Sequence, residues 1–295
     1  MSTLLDMPVE IGKLVLKRMK PVERLVCRKV CRSLRTAVDS FGIRFNSVSV
    51  DLYDDYVLMD LNGLSIKYKS EENGTSAVYC NGKRIAREED YLKVAFEDLM
   101  AVMDQTSQLC FRNKRKELLN SITSVTDILK NKENLCVKEI LLNTFSFDDA
   151  LLILPCFNAQ VLESIELWEA APIDHCERLT GLDQWKNAKR FRTHDSRFQN
   201  EKLQIGQLFH FEKFQVEFDN FSILDVTKVK EDLLKRSEFK ECSLIIGRFD
   251  STPFKIAQLF KPDVAEDMKY EIKYSVDNKI FVIFINRQVF CCELM

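Results

Sequence analysis

The chain has 295 residues, 46% of them hydrophobic and 30% charged, with a formal net charge of −2, the composition of an ordinary globular protein with enough apolar residues for a substantial core. Nothing in it marks a membrane or exported protein: the longest purely apolar run, Ile280-Phe-Val-Ile-Phe-Ile285, is far shorter than a membrane span, and the start lacks a basic region followed by a long apolar stretch. Ten cysteines lie scattered without a regular framework, several at core-like positions such as Cys136, Cys156 and Cys242, which fits reduced thiols in the cytosol or nucleus.

The first forty residues are the most informative. Pro8, two residues after Asp6, suits a first helical position, where its missing N–H is not needed and the aspartate complements the helix dipole. Ile11, Leu14, Val15 and Met19 follow at helical spacing, Pro21 stops that helix and opens another, and Leu25, Val26, Val30, Leu34, Ala37 and Val38 continue the period to Gly42. Residues 1–45 hold ten Lys/Arg against four Asp/Glu, so a basic module of net +6 precedes a remainder of −8. So small a segment cannot bury this much apolar surface alone and reads as a docking element. A basic helical hairpin could also serve a phosphate backbone, but it has few aromatic neighbours for stacking.

These residues resemble an F-box. Met7-Pro8-x-Glu10-Ile11, the aliphatics Leu14 and Val15, Arg24-Leu25, and Arg28-x-Val30-Cys31-Arg32-Ser33-Leu34-Arg35 follow the family order and spacing, with the usual terminal tryptophan replaced by the Ser33-Leu34 pair. The resemblance implies a module that docks on the Skp adaptor, and through it the cullin scaffold, of an SCF-type ubiquitin ligase. The adaptor-binding residues it implies are Pro8, Ile11, Leu14, Val15, Leu25, Val30 and Leu34.

From residue 45 the period changes. Val48–Val50, Tyr56–Met59, Leu64–Tyr68 and Ala77–Cys80 read as short strands separated by Asn62-Gly63, Asn73-Gly74 and Asn81-Gly82, and Asn-Gly suits the two positive φ angles of a type I′ turn. This predicts a β-meander. The helical period returns at Tyr91, Leu92, Ala95, Phe96, Leu99, Val102 and Met103, and a second helix is expected over 114–130.

Beyond it an apolar-x-x-apolar-x-apolar pattern recurs: Val137/Ile140/Leu142, Leu162/Ile165/Leu167, Ala188/Phe191/Thr193, Phe211/Phe214/Val216 and Phe239/Cys242/Leu244. Helical segments are expected between them at 148–157, 174–185 and 225–236, and after the last at 253–260. A strand and a helix every twenty to thirty residues is the signature of a leucine-rich-repeat-like solenoid. Tyr270–Val276 and Lys279–Ile285 flank Asp277-Asn278 and predict a hairpin capping the last repeat. With the F-box before it, this arrangement resembles the F-box and FTH-domain family expanded in nematodes, the FTH part near residues 115–260.

The expected fold is therefore mixed α/β: a helical F-box at 1–43, a β-meander plus helix connector at 44–110, and a repeat domain with its hairpin cap at 111–295. No phosphate loop, nucleophile elbow or metal helix is present, and no cofactor is expected. Asp174-His175-Cys176 is read as a helix start with Asp174 as its cap; an enzyme would need a pocket uniting His175, Cys176 or His194 with carboxylates. Cys27-x-x-x-Cys31 has no nearby histidines, and its thiols are read as small apolar groups. Cys292-Glu-Leu-Met295 has the form of a prenylation ending, with Cys292 as acceptor and Cys291 as a possible second site. The resulting expectation is a non-catalytic substrate receptor, with a protein substrate and no nucleic acid or membrane span. The alternatives are a DNA-binding protein using the basic helices, or a scaffold unrelated to ubiquitination.

Overall fold

The computed structural model describes residues 9–28, 30–43, 45–103, 106–115, 121–130, 134–168, 176–198 and 203–295. The chain divides into two compact units, 1–140 with 156–161, and 141–155 with 162–295.

The first unit opens with three short helices, α1 (Val9–Arg18), α2 (Pro21–Arg28) and α3 (Arg32–Phe41). Strands β1 (Ser47–Leu52), β2 (Tyr56–Leu61), β3 (Leu64–Ser70), β4 (Ser76–Cys80) and β5 (Lys83–Arg87) then form an antiparallel meander, each paired with the next. Asn62-Gly63 and Asn81-Gly82 both take positive φ, as a type I′ turn requires. Asn73-Gly74 does not: only Gly74 has positive φ, and the turn is a 3-10 segment, Glu72–Gly74. Strand β5, with its Lys-Arg-Ile-Ala-Arg sequence, is a short charged edge that the pattern reading missed.

Helix α4 (Tyr91–Met103) lays its apolar stripe on β2, β3 and β4. Within that contact Tyr68 Oη donates to Asp98 Oδ2 at 2.8 Å, which satisfies two buried polar groups at once. Strand β6 (Gln108–Asn113) then pairs parallel with β1. That pairing places residues 108–113 with the meander, so β6 straddles the boundary expected at 110, while the two compact units divide near residue 140, inside β7 (Glu139–Asn143). Helix α5 runs Ser121–Lys130, so Lys114 and Arg115 precede it rather than belong to it; 116–120 lie outside the described residues.

In the second unit, strands β8 (Ser164–Trp168), β9 (Arg190–Phe198), β10 (Lys213–Phe221) and β11 (Glu241–Phe249) run parallel and adjacent. Their register stacks Ile165 on Phe191, Phe191 on Phe214 and Phe214 on Cys242, the middle positions of the sequence repeat. All fifteen apolar-pattern positions, from Val137 to Leu244, are buried. Between them lie α6 (Phe147–Ile153), with a capping box from Ser146 and Asp149, then α7 (Cys176–Gly181), α8 (Asp183–Asn187) and α9 (Ile223–Lys228). Helix α9 runs on as a π-turn over Val229–Leu233, and α10 (Pro253–Phe260) follows β11. Gly247 lets β11 approach β10 closely: a Cβ there would lie 2.9 Å from the Asp219 carbonyl oxygen.

The expected hairpin cap is a three-stranded meander. Strands β12 (Tyr270–Val276) and β13 (Lys279–Ile285) form the hairpin, with positive φ at Asp277 and Asn278, and β14 (Val289–Leu294) is the strand that joins it, antiparallel, to β11. The phenylalanines fill this core in a continuous train: Phe214 to Phe239 to Phe281, and Phe221 to Phe290 to Phe260.

Two cysteine expectations are corrected. Cys136 is exposed, because its neighbour Val137 takes the inward position. Cys292 is fully buried, directly opposite Cys242 of β11, and the chain end is tied down: Leu294 N donates to Lys240 O at 2.8 Å and Met295 N to Ile280 O at 2.9 Å. Burial, then the neighbouring Cys242, pushes its thiol well up. A prenyl acceptor must reach its transferase as an exposed tail, so the folded chain withholds Cys292.

Candidate functional site

The N-terminal module is held by its arginines. Arg24, on α2, donates from Nε to Leu16 O at 2.7 Å, from Nη2 to Lys17 O at 3.3 Å and from Nη1 to Gly42 O at 3.3 Å, and its guanidinium lies 4.6 Å from the Phe41 ring centroid. One side chain thus gathers carbonyls at the C-terminal end of α1 and ties them to the end of α3, where Gly42 (φ 85°) forms the cap. Arg28 Nε meets Asp39 Oδ1 at 2.7 Å and fixes α2 to α3. Lys20 N donates to Glu23 Oε2 at 2.7 Å at the start of α2.

The module's own core is Leu16, Leu25 and Val38. Outside it, Ile11 (44% exposed), Leu14 (57%), Val26 (60%) and Val30 (67%) stand in solvent. Four of the eleven large apolar side chains exposed among the described residues therefore fall in one short module. Ile11 and Leu14 share a face of α1 by their i, i+3 spacing, whereas Val26 lies on α2 and Val30 in the turn beyond its end. Exposed aliphatics concentrated on a folded scaffold are the mark of an interaction surface.

The expected docking residues divide accordingly. Ile11, Leu14 and Val30 are exposed, Val15 and Leu34 half-buried, and Pro8 lies outside the described residues. Leu25 is corrected: at 3% exposed it belongs to the module's core, and its neighbour Val26 faces out instead. The run Leu14-Val15-Leu16 hid the inward residue of α1, which is Leu16. The basic charge is partly committed, since Arg24 and Arg28 are engaged within the module. Cys27 and Cys31 are half-buried, and burial, then Glu23, pushes the Cys27 thiol up, away from the thiolate a metal would need.

The histidines are placed separately. His175 and Asp174 lie outside the described residues, and His194 packs against Trp168 with ring centroids 5.5 Å apart. A cavity of about 220 Å³, lined by Leu203, Ile205, Phe218, Phe221, Asp225 and Lys228, includes neither His194 nor His210. The Asp225 carboxylate caps α9 by accepting from the N–H and hydroxyl of Ser222 at 3.1 and 2.7 Å. His210 is structural: its Nε2 is 2.9 Å from the Trp185 carbonyl and its ring lies tilted against that of Phe211, 3.9 Å between centroids.

Burial holds the His210 pKa below its ordinary value near 6.5, against the raising effect of its backbone carbonyl bonds. The unfolded chain therefore binds this proton more readily, and the protein loses stability as pH falls below about 6.5, through the depressed folded value. In urea titrations between pH 7.5 and 5, His210→Gln should flatten that dependence; an unchanged slope would show that other groups carry it.

Comparison with known proteins agrees with this anatomy. Residues 4–46 match the F-box domain and residues 119–263 the FTH domain. The chain is 24% identical over 286 residues to F-box A protein 224 of Caenorhabditis elegans, covering 90% of this chain and 72% of that protein. It is an F-box protein. More narrowly, it belongs to the F-box/FTH family of nematodes.

Proposed function

We propose that the protein is the substrate receptor of an SCF-type ubiquitin ligase, docking on the Skp adaptor through its N-terminal helices and presenting a substrate protein with its second unit. The observation that carries this reading is the exposed aliphatic set Ile11, Leu14, Val26 and Val30 on a module whose own core is already complete. Val15 and Leu34, half-buried beside it, would complete the contact, as would Pro8. The chain would need no catalytic group, because ubiquitin transfer belongs to the recruited ligase and conjugating enzymes. The in-register parallel strands of the second unit support a short solenoid reading. Its sheet face would meet the substrate, in the cytosol or nucleus.

The test is co-purification of the full chain with the Skp adaptor. Leu14 is exposed, so Leu14→Asp should leave circular dichroism and melting temperature unchanged while weakening the complex at least about tenfold, as expected for a desolvated interface anchor. No complex with the wild type, or equal binding by the variant, overturns the proposal.

A further inference from the structure

The longest apolar run in the sequence, Ile280-Phe-Val-Ile-Phe-Ile285, is not accounted for by the fold. It forms β13, whose inward residues Phe281, Ile283 and Ile285 are fully buried. Helix α10 covers that side of the sheet, with Phe260 5.4 Å from Tyr274 and 6.0 Å from Phe290 between ring centroids. An antiparallel strand with water on its other face should alternate apolar with polar. β13 does not: its outward residues are Ile280, Val282 and Phe284, and the exposed Glu271, Lys273 and Glu293 around them show that this face meets solvent. Val289 and Ile245, opposite one another on β14 and β11, extend the apolar surface.

We infer that this face is a dimer interface occupied by a second copy of the same chain. The argument is the charge pattern. Val282 is flanked in register by Lys273 of β12 on one side and Glu293 of β14 on the other. Glu241 beyond it is already paired with Lys213 at 2.9 Å, whereas Lys273 and Glu293 have no ion pair among the described residues. A twofold axis lying along β13 in the plane of the interface lays Val282 on Val282, sets each Lys273 over the other copy's Glu293, and aligns the sheets as face-to-face packing prefers. The next row fits as well. Glu271, beside Phe284, comes to face the Cys291–Ser243 pair, whose thiol and hydroxyl lie 3.3 Å apart and can donate. The surface is self-complementary in both its apolar stripe and its charges.

The full chain should sediment as a concentration-dependent dimer, with or without the Skp adaptor. Phe284→Asp should make it monomeric with an unchanged melting temperature of the second unit. Glu293→Lys and Lys273→Glu should each weaken dimerisation at least about tenfold, and the double variant Lys273→Glu/Glu293→Lys should recover to within about threefold of wild type, the signature of a direct pair. A chain that stays monomeric at about 100 µM overturns the inference and leaves the face to another protein. So does a dimer indifferent to Phe284→Asp, or a double variant no better than the singles.

Discussion

Trp185→Ala lowers the stability of the second unit by about 3–5 kcal/mol, the usual cost of deleting a large buried ring and leaving its cavity. Trp185 is 1% exposed on the five-residue helix α8, which is too short to be stable by itself and whose largest buried anchor is this side chain, beside the buried Gln184. The indole meets Phe191 of β9 at 4.4 Å between centroids and Phe211, just before β10, at 5.0 Å in an edge-on arrangement. It therefore joins two successive strands as well as its own helix. Its backbone carbonyl also receives the His210 bond, so relaxation of α8 into the cavity would break a second contact. Trp185→Phe keeps a ring in place and should cost about 1–2 kcal/mol. Urea unfolding followed by far-ultraviolet dichroism measures both; a loss below about 1 kcal/mol for the alanine variant would mean that the site collapses around it.

Much of this core was legible because its signals are periodic and local. The apolar-x-x-apolar-x-apolar pattern locates the inward face of each parallel strand whether the position holds Ile165, Phe214, Cys242 or even Thr193, since burial alternates with the pleat. Asn62-Gly63, Asn81-Gly82 and Asp277-Asn278 marked hairpins because the left-handed region admits few other residues. What escaped depends on pairing between distant segments. β14 follows a turn marked by Asn286 alone, whose side chain accepts from Gln288 N and Val289 N, with no Asn-Gly pair to announce it, and its place is set by pairing with β11 and β13. The position of β6 follows from its parallel pairing with β1, a contact some sixty residues apart in sequence that no local pattern records. At the docking site the sequence showed the right helices but could not choose between adjacent aliphatics: Leu25 and Val26 point about 100° apart around α2, and only the packed module shows that Leu25 is the one turned inward.

The N-terminal helices make the same point in reverse, because the residue that assembles them is not on the surface they expose. Arg24→Ala should destabilise the module by about 2–4 kcal/mol, since it deprives Leu16 O, Lys17 O and Gly42 O of a charged donor and removes the cation from the Phe41 ring. Three short helices around Leu16, Leu25 and Val38 have little other core to draw on. Arg24→Lys keeps the charge but not the planar fork that reaches three carbonyls, so it should recover only part of the loss. Arg24→Met, which keeps the aliphatic stem alone, separates packing from hydrogen bonding. Adaptor affinity should fall in parallel with module helicity across the three variants, because Ile11 and Leu14 on α1 can be presented together with Val26 and Val30 only while α1 is held to the α2–α3 pair. This is unlike Leu14→Asp, which removes binding and spares the fold. Amide hydrogen exchange over residues 9–43, read alongside adaptor titration, distinguishes the two. If Arg24→Ala lost affinity with exchange protection unchanged, Arg24 would itself be a contact residue and the module would be held by something else.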